Sequence, residues 1–234
     1  MKSVTLLATL ILGLCASAQA ALYDTGFMNG GVIPDGSLSG WSDTHAINDL
    51  TSGPITGVQV SLKLDGGFNG DLYAYLSYHS ADNSTMVLIP LLTRVGVDGA
   101  NTFGASGGMN ITLADGNLNI GSLATDPNTI GTYAPDGRML NTTTLLPGAM
   151  SDTSSFASLT GLSQNGDWTL FFADVSGGGG QSKVVSWSLD IITAVPEPIN
   201  VALGVFGGLF LVGTLCRSER MKRLFGKPAA VEAE

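Results

Sequence analysis

Residues 21–194 predict an all-β fold, a β-sandwich or barrel, on three observations. Apolar and polar residues alternate over several short segments, as in half-buried strands. Twenty-six of the 32 glycines fall in this region, mostly between those segments, where turns with positive φ need them. No window here has the 3.6-residue periodicity of an amphipathic helix. Many short strands joined by glycine-rich turns are typical of a sandwich or barrel.

The first twenty residues have the features of a secretory signal peptide. Lys2 precedes an apolar stretch, residues 4–15, and the small residues Ala18 and Ala20 stand at the −3 and −1 positions of a cleavage site. We therefore predict cleavage after Ala20, which makes Ala21 the first residue of the mature chain.

The two cysteines predict a mature domain without an intramolecular disulfide. A lipoprotein would need a small residue before Cys15, and Leu14 stands there. Signal-peptide cleavage would remove Cys15 and leave Cys216 alone in the mature chain. Stability must then come from packing or from bound ions.

The strands predicted in the first half of the domain follow the alternation of apolar side chains. Residues 58–64 form the clearest strand, because every second residue is apolar without exception. The next strand starts after Gly70 and has four apolar or aromatic residues on one face: Leu72, Ala74, Leu76 and Tyr78. Residues 86–92 are almost continuously apolar, which predicts a buried strand with an edge or a bend at Pro90.

Two late strands are predicted by the same pattern. The alternating residues are Trp168, Leu170 and Phe172 in one strand, and Val185, Trp187, Leu189 and Ile191 in the last. Trp168 and Trp187 are expected to be large core residues on neighbouring strands. Residues 101–158 form a longer, more polar stretch in which no strand is assigned.

The order of several motifs resembles the P domains that follow the catalytic domain in kexin- and furin-type proprotein convertases. The resemblance extends over about residues 28–192, and its segments are Ile33-Pro34-Asp35-Gly36, residues 55–64, Gly70-Asp71-Leu72, Leu91-Leu92-Thr93-Arg94, Asn165-Gly166-Asp167-Trp168-Thr169-Leu170, Ala173-Asp174 and Ser186-Trp187-Ser188-Leu189-Asp190-Ile191. It implies an eight-stranded jelly-roll β-sandwich for residues 21–194. In the convertases this module supports a separate protease domain, and no such domain is recognisable in this sequence.

The charge of the domain favours cations over nucleic acids as ligands. Residues 21–194 contain fifteen Asp, no Glu and four basic residues, a formal charge of −11, whereas the whole chain carries −9. Such a surface repels nucleic acid and anionic lipid. Aspartate oxygens are ligands that hard cations prefer.

Calcium is the one cofactor that the residues suggest. Asp65, Asn69 and Asp71 bracket one glycine-rich loop, and Asp174 ends the strand that contains Trp168. In a jelly roll these loops could converge at one end, so Asp65, Asp71 and Asp174 are the candidate metal ligands; the alternative is that they are ordinary turn residues.

A second acidic loop matches calcium-binding spacing only in part. It contains four residues at EF-hand spacing: Asp115, Asn117, Asn119 and Asp126. Ile120 replaces the turn glycine, Asp126 replaces the bidentate glutamate, and no helix pattern flanks the loop. We interpret it as an Asn/Asp-rich loop.

The sequence predicts no catalytic residues. His45 and His79 are the only histidines, they lack zinc-ligand spacing, and both are expected to be solvated. No Gly-x-Ser-x-Gly nucleophile motif occurs. A glycosidase-like site would need two carboxylates at a defined separation, and fifteen Asp supply candidates without distinguishing a pair.

The C-terminal residues predict a membrane helix followed by a basic tail. Residues 199–216 carry no charge over eighteen positions, and at about 1.5 Å per residue a helix of that length spans ~27 Å, close to the ~30 Å of a bilayer core. Five basic residues occur in the tail, residues 217–234. The positive-inside rule therefore puts the C-terminus in the cytoplasm and the β-domain outside.

Together with Val195, Pro196, Glu197 and Pro198, which precede it, this segment resembles the PEP-CTERM sorting signal of bacterial exported proteins. The resemblance implies that an exosortase, an integral-membrane protease, cuts at Pro196-Glu197-Pro198. The tail would hold the protein in the inner membrane until then.

The sequence therefore predicts an exported bacterial protein of the cell surface or extracellular matrix, in which a non-catalytic module binds polysaccharide, surface proteins or a cation. Two alternatives remain open. One is a surface hydrolase that acts on matrix polymers through an Asp-based site, and the other is an accessory module of a separately encoded protease.

Overall fold

The computed structural model describes residues 21–27, 30–48, 53–97, 107–123, 130–149, 153–194, 206–210 and 213. The chain divides into two compact units, residues 1–195 and 196–234. In the second unit the described residues are helical. Nowhere in the described ranges is a helix long and apolar enough to cross a membrane. Most of the helix predicted at 199–216 lies outside these ranges.

The described part of the first unit is built from strands. In chain order they are β1 (Ala21–Phe27), β2 (Gly31–Val32), β3 (Ser37–Ile47), β4 (Ile55–Asp65), β5 (Leu72–Ser80), β6 (Met86–Thr93), β7 (Met109–Ala114), β8 (Ile130–Tyr133), β9 (Gly166–Asp174) and β10 (Lys183–Thr193). Three short 3-10 turns stand between them: Asn69–Asp71, Ile120–Ser122 and Phe156–Leu159.

The strands form two sheets. The first sheet has the order β1-β10-β4-β7-β8, and β2 also pairs with β10. The second sheet has the order β3-β9-β5-β6. All pairs are antiparallel except β7 with β8, which is parallel. The prediction of an all-β fold is confirmed.

The inward faces of the two sheets meet in one hydrophobic core. Val60 and Leu62 of β4 and Leu189 of β10 face Leu76 of β5 and Leu170 of β9, and all five side chains are buried. The two sheets therefore pack as a sandwich around a continuous apolar layer.

The alternation read from the sequence is confirmed in the strands where it was clearest. The four apolar residues of 58–64 are buried in β4 while Lys63 between them is exposed. The predicted face of β5 is buried as well: Leu72, Ala74, Leu76 and Tyr78. Leu170 and Phe172 of β9 are fully buried. Period-two patterns predict burial well because successive side chains of a strand point to opposite faces.

The two tryptophans are core residues, as predicted, but their strands are not neighbours. Trp168 is on β9 in the second sheet and Trp187 is on β10 in the first. Both are buried, with 0% and 2% of their surface exposed. The two strands are adjacent in sequence but do not pair, because the chain crosses from one sheet to the other between them.

Pro90 lies on an edge strand, as its missing N–H requires. β6 pairs only with β5 in the sheet order, and the register shifts between Ala74 and Tyr75 opposite Leu92 and Pro90. Of the predicted edge or bend at the proline, the edge position is confirmed, and the register of the strand pair is irregular beside it.

Residues 101–159, in most of which no strand is assigned from the sequence, supply β7, β8 and two of the 3-10 turns. Phe156 and Leu159 on the last of these turns belong to the core. In β7 the apolar residues Met109, Ile111 and Leu113 alternate and are buried, whereas β8 has no buried residue.

Candidate functional site

The candidate site is an acid pair, Asp71 and Asp174, at one end of the sandwich. Asp71 closes the 3-10 turn before β5, and Asp174 is the last residue of β9. β5 and β9 pair so that Leu72 lies opposite Asp174. The Val175 N–H donates a hydrogen bond to the Asp71 carbonyl oxygen at 2.8 Å. Strand pairing thus brings together two residues that are far apart in the chain.

The loop before Asp71 needs glycine for its shape. Gly66 has φ +73°, and a Cβ there would collide with the backbone carbonyl oxygen of Gln181. The Asp71 N–H then donates to the Phe68 carbonyl oxygen at 3.1 Å, which closes the 3-10 turn. Positive φ and a close backbone contact both exclude an L side chain without strain, so this turn is preorganised by glycine.

Both carboxyl groups are buried, and burial raises their pKa values. Only 3% of Asp71 and 0% of Asp174 is exposed. Burial raises the pKa of Asp71 from 3.8 to about 6, the negative charge of Asp174 adds to the increase, and Arg94 and a hydrogen bond from Ser176 oppose it. Burial also raises the pKa of Asp174, against hydrogen bonds from the backbone of Ser176 and Gly36. Desolvation is the first cause at both residues, because a buried carboxylate loses its hydration.

Arg94 is the basic residue beside the pair. Its Nη2 lies 3.6 Å from Asp71 Oδ1, beyond hydrogen-bond distance. Its Nε donates to the Gly70 carbonyl oxygen at 2.8 Å and its Nη1 donates to the Leu145 carbonyl oxygen at 3.0 Å. The guanidinium is therefore shared between backbone carbonyls and the acid pair.

Asp35 contributes a third negative charge at the solvent side of the pair. Its side chain is exposed, and both carboxylate oxygens accept from the Gly178 N–H, at 3.1 and 3.2 Å. Its charge helps to raise the pKa of both Asp71 and Asp174.

Several buried side-chain oxygens around this end of the sandwich accept no hydrogen bond. They are Asn69 Oδ1, Asp71 Oδ1, Asp174 Oδ2 and Ser182 Oγ. Asn69 is held by its Nδ2, which donates to the Gly108 carbonyl oxygen at 3.1 Å. Buried polar atoms almost always have partners, so a group of unpartnered oxygens is a site that could hold an oxygen-preferring cation.

The third candidate ligand, Asp65, has a different place. It lies exposed at the end of β4, where its Oδ1 accepts a hydrogen bond from the Gly66 N–H at 2.9 Å. Asp71 and Asp174 are thus brought together in the core of the loop region, and Asp65 stands at its surface. In the described residues no group of three or more His, Cys, Asp or Glu is arranged to hold a metal.

The loop with EF-hand-like spacing has structural roles in its described residues. Asp115 caps the 3-10 turn Phe156–Leu159 by accepting from the Phe156 and Ala157 N–H groups, at 3.3 and 2.8 Å. Asn119 accepts from the Gly121 N–H at 2.8 Å. Asp126 lies outside the described residues.

His45 was expected to be solvated, and it is instead half-buried in a polar contact between the sheets. Its Nε2 lies 2.8 Å from Asp43 Oδ2, which also accepts from Trp187 Nε1 at 2.9 Å. Asp43 is on β3 and Trp187 is on β10, so this carboxylate joins the two sheets. The only sequence signal was that Asp43 and His45 share one face of a strand. His79 is exposed, as expected.

The residues predicted for processing lie outside the described ranges. These are Ala18 and Ala20 at the signal-peptide cleavage site and Pro196, Glu197 and Pro198 in the sorting motif.

Comparisons with known proteins give a remote structural likeness and no family. No protein-family model matches the chain, and no curated protein matches it. The chain is similar to the serine protease of Aeromonas sobria in complex with its chaperone, with 17% identity, a TM-score of 0.41 and 80% of this chain covered. It is also similar to that serine protease alone, with 16% identity, a TM-score of 0.37 and 78% of this chain covered. In both cases the chain spans 29% of the solved chain's length.

Proposed function

We propose that this protein is an exported component of a bacterial cell surface or extracellular matrix, with a P-domain-like jelly roll as a non-catalytic structural or binding module. A signal peptide exports it, the C-terminal helix holds it in the inner membrane, and an exosortase processes it at Pro196-Glu197-Pro198. Polysaccharide and surface proteins are the partners that suit an acidic exported module.

One observation carries the proposal: the two sheets fit between the two processing sites. β1 begins at Ala21, and β10 ends at Thr193, three residues before Pro196. Ala21 lies opposite Thr193 in the β1–β10 pair. Cleavage at either site would therefore remove none of the described strands, and the two cut ends would lie close together, where β1 pairs with β10.

The alternative of a surface hydrolase is favoured by the raised pKa values of Asp71 and Asp174, since acid–base catalysis uses such carboxyl groups. A glycosidase, however, must bring substrate to both carboxyl groups. With 3% and 0% of their surfaces exposed, these two do not offer a substrate-accessible face.

The sorting proposal is tested by replacing Pro196, Glu197 and Pro198 with alanine in the full chain and expressing it in a bacterium that has an exosortase. We expect the unmodified chain to lose its tail and reach the surface or matrix, because the protease recognises the motif. The variant should keep the tail and remain in the inner membrane. Immunoblots of membrane, surface and medium fractions measure both.

The matched control is Pro228→Ala, which removes a proline from the same tail outside the motif and should be processed normally. Unchanged processing and delivery of the triple variant would refute sorting at this motif. Purification of the mature protein from the same cells distinguishes the remaining alternative, because an accessory module should co-purify with a separate protease.

A further inference from the structure

Three residues at the loop end of the sandwich have buried oxygens that accept no hydrogen bond. The atoms are Asn69 Oδ1, Asp71 Oδ1 and Asp174 Oδ2. Asn69 and Asp174 are 0% exposed and Asp71 is 3% exposed, so bulk water does not solvate them. Unpartnered buried acceptors are rare in folded proteins and are destabilising, which indicates that another group satisfies them.

The charges around these atoms do not balance. With all groups ionised, the carboxylates of Asp35, Asp71 and Asp174 and the guanidinium of Arg94 sum to −2, and electrostatic interactions link them to one another. Arg94 has one positive charge and cannot neutralise two ionised carboxylates, and its Nη2 lies 3.6 Å from Asp71 Oδ1. A divalent cation would bring the group to neutrality.

The atoms are also held in place before any ion binds. Asp71 is fixed by the 3-10 turn and by the Val175 N–H that donates to its carbonyl oxygen. Asp174 Oδ1 accepts from the Ser176 N–H at 3.1 Å and the backbone of Gly36 also interacts with this carboxyl group, while Oδ2 has no partner within hydrogen-bond distance. The Asn69 amide is oriented by the bond from its Nδ2 to the Gly108 carbonyl oxygen, with Oδ1 as the free end.

We propose that Asp71 and Asp174, together with Asn69 on the same turn as Asp71, bind a single calcium ion. All three candidate ligands offer oxygen, and calcium takes carboxylate and amide oxygens in flexible coordination, completed by backbone carbonyls or water. Zinc would prefer sulfur or imidazole nitrogen. The exposed Asp35 adds negative charge close enough to act on both carboxyl groups.

The bound ion would link the start of β5 to the end of β9 and to the glycine-rich loop that follows Asp174. Since β5 and β9 are the two central strands of the second sheet, this site would stabilise the sheet from one end. The site does not depend on the role of the C-terminal tail in sorting, and it can fail or succeed independently of it.

The test uses the full chain in detergent, freed of metal with a chelator, and measures calcium binding by calorimetry and the thermal midpoint with and without calcium. We expect one calcium ion to bind with a dissociation constant below about 1 mM. At about 100 times that constant the midpoint should rise by on the order of 5–10 °C, and excess chelator should reverse the shift.

Asp174→Asn and Asp71→Asn remove one ligand charge each with little change in shape, and each should weaken calcium binding at least tenfold and reduce the thermal shift. Asp65→Asn is the matched control, because Asp65 is an exposed aspartate of the same loop. This variant should bind calcium as tightly as wild type and show the same thermal shift. If Asp71→Asn or Asp174→Asn fails to fold, the calcium titration of the wild-type protein still tests the proposal. The proposal is overturned if wild type binds calcium no more tightly than about 1 mM, or if Asp174→Asn binds as wild type does.

Discussion

Burial and the negative charge of Asp174 both raise the pKa of Asp71. The folded-state pKa is about 6, whereas the ordinary value is 3.8. A folded-state pKa above the unfolded value means that the protonated group stabilises the fold. This stabilisation is complete below about pH 4 and is lost as the pH rises through about 6.

For the metal-free protein we therefore expect the free energy of unfolding to fall between about pH 4 and pH 7, with up to about 3 kcal/mol attributable to Asp71 at 1.36 kcal/mol per pKa unit. Asp174, Asp35 and Arg94 face the same group and share in the effect. Urea unfolding in excess chelator at several pH values measures it. In Asp71→Asn the profile should be flatter over this range, and in the exposed-site variant Asp65→Asn it should follow wild type. If the pH profiles of wild type and Asp71→Asn were parallel, the pH dependence could not be attributed to Asp71.

At the scale of the element, β4 shows how one strand divides its residues between core and solvent. Leu62 is 1% exposed and packs between the sheets, while Lys63 beside it faces outward. We expect Leu62→Ala to lower the free energy of unfolding by about 2–5 kcal/mol, because it removes buried methyl groups and leaves a cavity. Lys63→Ala, the matched control on the same strand, should change it by no more than about 0.5 kcal/mol. Denaturant titration of both variants measures these free energies of unfolding. If both variants lost stability equally, the assigned register of β4 would be wrong.

The edges of the second sheet are protected by different features. Pro90 removes one N–H from the edge strand β6, and Asp43 on the opposite edge strand β3 bonds Trp187 of the other sheet. Both features limit pairing with another chain, since an edge strand otherwise presents free backbone groups. The edge strands β3 and β6 are thus less exposed to pairing with another chain.

At the scale of the whole molecule, the pairing of β1 with β10 sets where the chain enters and leaves the domain. The first residue of β1 is Ala21, where signal-peptide cleavage is predicted to leave the new N-terminus. Because cleavage requires a small residue at the −1 position, Ala20→Leu should cause the precursor to accumulate. Gln19→Leu alters the unconstrained −2 position and should be cleaved normally.

Intact-mass measurement of the exported protein tests this processing directly. Wild type and Gln19→Leu should both begin at Ala21, and Ala20→Leu should retain the leader. A mature N-terminus within β1, after Ala21, would contradict the prediction, because it would remove part of the strand that pairs with β10.

The sequence by itself determined the all-β class, the buried faces of β4, β5 and β9, and the edge position of Pro90, because these follow from local alternation and from the missing N–H of proline. It also indicated Asp71 and Asp174, since each follows a turn or ends a strand. Their meeting, and the exposed place of Asp65, were decided only by tertiary structure.

The same division explains the errors. Trp168 and Trp187 could not be assigned to separate sheets, because strand partners come from distant parts of the chain. β7 does alternate, with Met109, Ile111 and Leu113 buried, but it is a short segment among polar residues, and β8 has no buried face. Likewise, loops far apart in sequence bury Asp71, Asp174 and Asn69. This burial raises the pKa of Asp71 and leaves side-chain oxygens of Asn69 and Asp174 without hydrogen bonds. Local pattern decides which side of a strand is apolar, and only packing decides which polar groups lose water.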